Sequence, residues 1–291
     1  MYKKPIVIAE IGGNHRGELE TAKEMIKIAS EFCNADIIKF QKRNPKESLS
    51  KEEYNAPHPI PSNSYGDTYG AHREFLEFDI DQHKELKKEC EKYGKVYSCS
   101  VWDTGSAKEI CSISPDMIKI PSACSNYIEL IDYIFDNYSG EIHLSLGMTT
   151  DKEKQEIVDY FKKKKRNKDL VLYHCTSGYP VSFEDACLLE IKKLSEQYSD
   201  IVKDIGFSGH HLGIAIDIAA YALGARYVER HFTLDRTWKG TDHAASLEPD
   251  GLRKLERNLN AAHISLQYKK SELLDVEIEQ KNKLRWNRNQ K

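Results

Sequence analysis

The chain of 291 residues contains no apolar run approaching the roughly 18 residues that a membrane-spanning helix needs, so no bilayer span is expected. Met1 is followed by Tyr-Lys-Lys-Pro and then directly by a strand-like segment, so no signal peptide is expected. Cysteine pairing is missing as well. The seven cysteines, Cys33, Cys90, Cys99, Cys111, Cys124, Cys175 and Cys187, are odd in number, scattered and form no CxxC pair, which predicts reduced thiols in a soluble, cytoplasmic protein. There is no excess of positive charge: 43 Lys and Arg against 46 Asp and Glu give a net charge of −3, which argues against a nucleic-acid partner. The one basic block, Lys162–Arg166, closes a helix expected to start near Asp151, where solvated cations complement the helix dipole. Finally, no GxGxxG follows Glu10, so the dinucleotide site of an open doubly wound sheet is not signalled.

What the sequence does have is a regular alternation. Strand-like apolar runs at Pro5–Glu10, Asp36–Phe40, Val96–Ser100, Asp116–Ile120, Glu141–Leu146, Leu170–His174, Ile205–Ser208 and Arg226–His231 are each followed by a helix-like segment. Eight βα units in series predict an α/β fold, a closed (β/α)8 TIM barrel, over residues 1–270. Residues 271–291 are charged and read as a helical tail or linker stub. One stretch, Asn44 to Phe78, breaks the rhythm with four prolines, two glycines and three tyrosines, and reads as irregular. It leaves the carboxyl end of the second strand, where long loops form lids or substrate walls.

In such a barrel the carboxyl ends of the strands decide function, and here they are polar. His210 and His231 each end a strand-like run, 21 positions apart, with one helix between them. That spacing brings both imidazoles to adjacent strand ends, with Asp242 in the next loop, a set that suits a divalent metal. A lone histidine after a strand is more often structural, so it is the pairing that carries weight. Glu10, Lys39, Gln41, Ser100, Lys119, Ser122, Ser145, Ser177, Tyr179 and Ser208 occupy the other strand ends. Lys39 and Lys119 lie in apolar runs where a buried ammonium needs a partner. Together they describe a site for a phosphorylated or carboxylated anion beside a metal.

Six ordered stretches carry a resemblance: Ile8-Ala-Glu-Ile-Gly-Gly-Asn-His15, Ile38-Lys-Phe-Gln41, His174-Cys-Thr-Ser-Gly-Tyr-Pro180, Gly206-Phe-Ser-Gly-His210, Glu229-Arg-His-Phe-Thr233 and Thr237 through Pro249. From about residue 4 to residue 270 the chain resembles the sialic acid synthase (N-acetylneuraminate synthase) family. The resemblance implies condensation of phosphoenolpyruvate with an N-acetylmannosamine-type aldose, in some members 6-phosphorylated, to a nine-carbon 2-keto-3-deoxy acid and phosphate. By that resemblance His210 and His231 would hold a divalent ion, Mn²⁺ before Mg²⁺ or Co²⁺. Lys39, Lys119, Ser100, Ser122, Ser145, Ser177 and Ser208 would cradle phosphoenolpyruvate, with Glu10, Lys39 and Lys119 as the catalytic set. Gln41, Cys124, Tyr179 and Asp242 would face the sugar.

Two departures bear on the acceptor. Cys124 stands where members of the family usually carry an acidic residue, and a thiol is a weak, uncharged hydrogen-bond partner. The sequence also ends at Lys291, where the family continues into a small antifreeze-protein-like domain that caps the partner subunit's site. A homodimer without that domain would need barrel-to-barrel contacts. Three alternatives to the main reading follow: a synthase for another nonulosonic or ulosonic acid, a barrel subunit needing a cap-bearing partner, and a metal-dependent hydrolase or aldolase, which would need more metal ligands.

Overall fold

The computed structural model describes residues 2–286. All eight expected strands form, within a residue or two of the predicted bounds: β1 Ile6–Gly12, β2 Ile37–Lys42, β3 Val96–Val101, β4 Met117–Ile120, β5 Glu141–Ser145, β6 Leu170–Cys175, β7 Asp204–Gly209 and β8 Tyr227–His231. They close into a barrel in chain order, every neighbouring pair parallel. The fold is a (β/α)8 barrel.

Alternation along each strand divides the core in two. Val7, Ala9, Ile38, Phe40, Ile118, Ile120, Leu170 and Leu172 point outward and pack in the shell under the helices. Ile8, Ile37, Met117, Val171, Tyr173 and Tyr227 point inward and plug the lower half of the barrel. Above that plug the inward positions turn polar: Glu10, Lys39, Ser100, Lys119, Ser145, Ser208, Glu229 and His231 are all buried. This floor, in which buried His143 is bonded to the Tyr173 hydroxyl, gives the polar upper layer a dry base.

The connecting helices are set by local signals. Asp79 and Thr150 form capping boxes with Gln82 and Glu153 at the starts of Ile80–Lys92 and Asp151–Lys163, and Asp103 caps Thr104–Ser112. The helix expected between the two histidine-bearing strands is present, over Ala215–Ala222. The tail holds a helix at Asp275–Leu284. Among the described residues no helix is long and apolar enough to cross a membrane.

The Asn44–Phe78 insertion corrects the expectation of irregular chain. It folds into short helices at Pro45–Ser48, Lys51–Asn55 and Tyr69–Phe75, with a 3₁₀ turn at Pro61–Asn63. Ser50 and Thr68 cap two of them. Prolines and glycines keep each helix too short to show a helical period, although both caps were legible. The insertion lies over the barrel mouth, where the Tyr65 hydroxyl donates to the Lys239 carbonyl at 2.5 Å in the loop after β8.

Candidate active site

The register of the strands explains why residues distant in sequence meet. Glu10 pairs with Lys39 on one side and His231 on the other, Ser100 pairs with Lys119, and Ser208 with Glu229. Inward side chains at matched heights form one ring at the carboxyl end of the barrel. They line a cavity of about 280 Å³ that takes in Glu10, Lys39, Gln41, Ser100, Lys119, Ser122, Ser145, Ser177, Tyr179, Ser208, His210 and His231. Cys124 and Asp242 border adjoining spaces instead.

The floor of this cavity is a buried network of two lysines and two glutamates. The Lys39 ammonium forms an ion pair with Glu10 and lies 3.6 Å from Glu229 Oε1, and it donates to Ser100 Oγ at 2.8 Å. Lys119 donates to the same Glu229 oxygen at 2.6 Å, and Ser208 donates to it at 3.2 Å. Glu10 Oε1 accepts from the Gln41 amide at 2.7 Å. Burial alone would pull both ammonium groups down. For Lys39 the attraction of Glu10 and Glu229 outweighs it and the pKa ends above its ordinary value. For Lys119 burial wins, aided by repulsion from Lys39, and the pKa ends below. Burial pushes Glu229 up, but the two lysines outweigh it and hold the carboxyl well below the usual range. The two lysines therefore differ in acidity although they share a counter-ion.

Glu229 was not among the residues singled out from sequence. Its signal was present, because it stands two positions before His231 on β8 and a strand puts such neighbours on one face. Trp102, Met148 and Cys175 also line the cavity and were likewise missed.

Opposite the lysines lies the imidazole pair, ring centres 5.6 Å apart. His210 Nδ1 is 3.0 Å from the Thr176 carbonyl, which fixes the tautomer with the proton on Nδ1 and leaves Nε2 as a lone pair. Burial and the neighbouring His231 push His210 down to about 3, so it is neutral at physiological pH. His231 Nδ1 is buried with no hydrogen-bond partner among the described residues. The Tyr179 ring packs 4.3 Å from His210, centre to centre. Asp242 is driven up by burial but ends lowered, chiefly by His231 and then by Arg73 and Arg43. A tautomer-locked imidazole beside one with an orphaned nitrogen fits a divalent ion. Among the described residues no three His, Cys, Asp or Glu side chains converge as a metal group.

A third wall carries hydroxyls. Ser122 Oγ accepts the Gly147 N–H at 3.0 Å and lies 3.1 Å from Cys175 Sγ. Gly147 itself leaves the space: a methyl there would stand 2.5 Å from Ser177 Oγ and 2.7 Å from Ser122 Oγ. The bare backbone of Gly147 thus lets Ser122, Ser177 and Cys175 close in together at the cavity wall. Cys124 points its thiol at the Trp102 carbonyl, 3.3 Å away, and burial pushes it up to about 11.

Comparison with known proteins relates most of the chain to one family. The sequence model of the NeuB family matches residues 25–271. N-acetylneuraminate-9-phosphate synthase of Homo sapiens is 37% identical over 281 residues, covering 96% of this chain and 76% of the human protein. N,N'-diacetyllegionaminic acid synthase of Campylobacter jejuni is 34% identical over 254 residues, covering 87% of this chain and 75% of that enzyme. Among solved structures, N-acetylneuraminic acid (sialic acid) synthetase from Leptospira borgpetersenii, in complex with citrate, superposes with a TM-score of 0.80 at 31% identity, over 98% of this chain and 94% of that one.

Proposed function

Because the chain belongs to the NeuB family, we propose that it is a phosphoenolpyruvate-dependent sialic acid synthase. It condenses phosphoenolpyruvate with an N-acetylmannosamine-type aldose and water to give a nine-carbon 2-keto-3-deoxy acid and inorganic phosphate. The observation that carries this reading is the two-sided cavity: Lys39, Lys119 and the hydroxyl wall on one side, the His210–His231 pair on the other.

Lys39 and Lys119 take the carboxylate and phosphate of phosphoenolpyruvate, with Ser100, Ser122, Ser145, Ser177 and Ser208 supplying neutral donors. Glu229 pairs with both ammonium groups and holds them in place before substrate arrives. That positions C3 of the enol toward the aldehyde carbon, and holding two reactants so is worth several orders of magnitude in rate. Bond formation between those carbons leaves positive character at C2, and Glu10, fixed by Gln41 and Lys39, orients the water that adds there and accepts its proton. The tetrahedral C2 then expels phosphate by C–O cleavage, with Lys119 and the serines bearing the departing charge. Gln41, Tyr179 and Asp242 orient the open-chain sugar through its hydroxyls, while Cys124 lies at the edge of the acceptor side. His210 and His231 would hold a divalent ion, for which we favour Mn²⁺, and such an ion would supply Lewis-acid polarisation of the aldehyde. A pair of protein ligands suits that role better than hydrolytic zinc chemistry, which usually takes three. We place the reaction in the cytoplasm.

Phosphate release should require phosphoenolpyruvate, an aldose and divalent metal together. With ¹⁸O in the bridging position of phosphoenolpyruvate the label should leave in phosphate; label retained in the keto acid would sink C–O cleavage, and release without any aldose would sink the condensation.

A further inference from the structure

Beneath the reacting cavity the barrel buries a second set of titratable groups. On the inner face of β5, below Ser145, stand His143 and then Glu141, and on β6 Tyr173 lies one inward step below Cys175. His143 and Tyr173 are buried, and Glu141 lies at the lower rim with its side chain 14% exposed. The three are joined end to end: the Tyr173 hydroxyl is 2.6 Å from His143 Nδ1, and His143 Nε2 is 2.7 Å from Glu141 Oε1. Burial pushes Glu141 up, but His143, followed by Lys203 and Tyr227, outweighs it and holds the carboxyl down to about 2. An ionised carboxylate only accepts, so the ring proton sits on Nε2 and Nδ1 accepts from the phenol. Burial keeps His143 below its ordinary value although Glu141 opposes the shift, so the imidazole is neutral. At the rim the Tyr227 hydroxyl donates to the same Glu141 oxygen at 2.9 Å, and Lys203 pairs with the other.

This chain of bonds ends under Lys119. The Lys119 ammonium lies 4.4 Å from the centre of the Tyr173 ring, and Lys119 pairs in register with His143. The two lysines are held differently. Lys39 has Glu10, Ser100 and Glu229 around it, whereas Lys119 has one hydrogen-bond acceptor among the described residues, Glu229. Its second support is the aromatic face. A phenol ring tilts freely unless its tip is tied, and here the tip is tied to an imidazole that is itself tied to a carboxylate. Donation to His143 also leaves the ring richer in electron density, which strengthens its hold on a cation. Gly206 completes the seat, since a methyl there would come within 2.6 Å of the Tyr173 ring. Excluding water needs none of this: apolar side chains fill the rest of the floor without the desolvation cost of a buried imidazole and carboxylate.

We propose that Glu141, His143 and Tyr173 form a positioning relay that holds the Lys119 ammonium at the height where the anionic end of phosphoenolpyruvate arrives. The relay touches no substrate and acts through Lys119. The assignment rests on the synthase reading for the identity of that anion.

The test uses the full chain with Mn²⁺ and two variants: Tyr173→Phe, which keeps the ring and cuts the relay at its first bond, and Glu141→Gln, which removes the charge at its far end. Tyr173→Phe should raise KM for phosphoenolpyruvate by about tenfold, leaving Mn²⁺ affinity and KM for the aldose, N-acetylmannosamine or its 6-phosphate, within about twofold of wild type. Glu141→Gln should raise the same KM by about threefold, although it sits at the opposite end of the barrel from the substrate. Lower melting temperatures with KM for phosphoenolpyruvate unmoved would make the triad a packing feature and overturn the relay. So would an equal loss of phosphoenolpyruvate, aldose and Mn²⁺ binding, which marks a barrel loosened throughout, or an effect of Tyr173→Phe with none of Glu141→Gln. Should Tyr173→Phe not fold, the KM of Glu141→Gln decides alone. If no aldose releases phosphate, the synthase reading fails and calorimetry decides the relay: phosphoenolpyruvate bound by the wild-type chain and about tenfold more weakly by Tyr173→Phe supports it, and equal binding, or none by the wild type, overturns it.

Discussion

At the scale of single residues the site turns on Glu229, one carboxylate shared by two lysines and a serine. Replacing it by Gln leaves two buried ammonium groups with only Glu10 between them, and breaking a buried pair this way costs about 3–5 kcal/mol. Glu229→Gln should therefore lower the melting temperature by several degrees and raise KM for phosphoenolpyruvate sharply; a variant with wild-type stability and KM would remove Glu229 from the site. On the opposite wall, His210→Ala and His231→Ala should each weaken Mn²⁺ binding by about 100-fold, read by calorimetry on the full chain without substrates. Unchanged Mn²⁺ affinity would show that the pair is structural. The sequence made the histidines, the lysines and most of the serines legible because they close strands and stand next to loops, where polar residues in apolar runs are conspicuous. Glu229 was hidden because it lies a full layer deeper, inside the strand whose last residue drew the attention. Cys124 was legible as a departure, but its placement was not: only the fold shows that its thiol turns to the Trp102 carbonyl, in the space next to the reacting cavity.

At the scale of elements, the period-2 alternation of the strands and the single helix between them were enough to predict all eight βα units. The insertion was misread because helices of four to seven residues between prolines carry no period, whatever their caps. Two glycines show how tightly the elements meet. Gly206 in β7 makes room for Tyr173 in β6: a methyl there would come within 2.6 Å of the ring. Gly206→Ala should thus overpack the barrel floor and cost about 1–3 kcal/mol of stability. Gly147, just past β5, meets hydroxyls rather than a core ring. Gly147→Ala should spare most of the stability and raise KM for phosphoenolpyruvate by about tenfold, because the methyl displaces the Ser122 and Ser177 hydroxyls from the cavity wall. The opposite pattern, an unstable Gly147→Ala with normal KM, would make that close approach a packing feature.

At the scale of the whole molecule, packing a polar mouth and a folded insertion onto one barrel keeps several histidines out of water. His15, His72, His83 and His243 are all buried. Burial, the largest influence on each, holds His15 and His83 down to about 3 and His72 and His243 down to about 4. Nearby cations push His72 and His83 the same way, through Arg73 and Lys42 respectively, while Asp242 opposes the shift at His243. The unfolded chain protonates these rings near their ordinary value of 6.5, so between that pH and about 3 to 4 it binds more protons than the native state. Stability accordingly rises with pH across that window and is lost as pH falls below 6.5, before the carboxylates begin to titrate. At pH 5.5 each ring contributes about 1 kcal/mol to the loss, a few kcal/mol together, which is a large share of the margin of an ordinary domain. Calorimetric unfolding at that pH, in buffers of different ionisation enthalpy, should show net uptake of about three protons or more, with a melting temperature well below its value at pH 7.5. A melting temperature flat from pH 7.5 to 5.5, with no proton uptake, would mean that the native barrel lets these imidazoles charge in place, and that the mouth is far wetter than its packing implies.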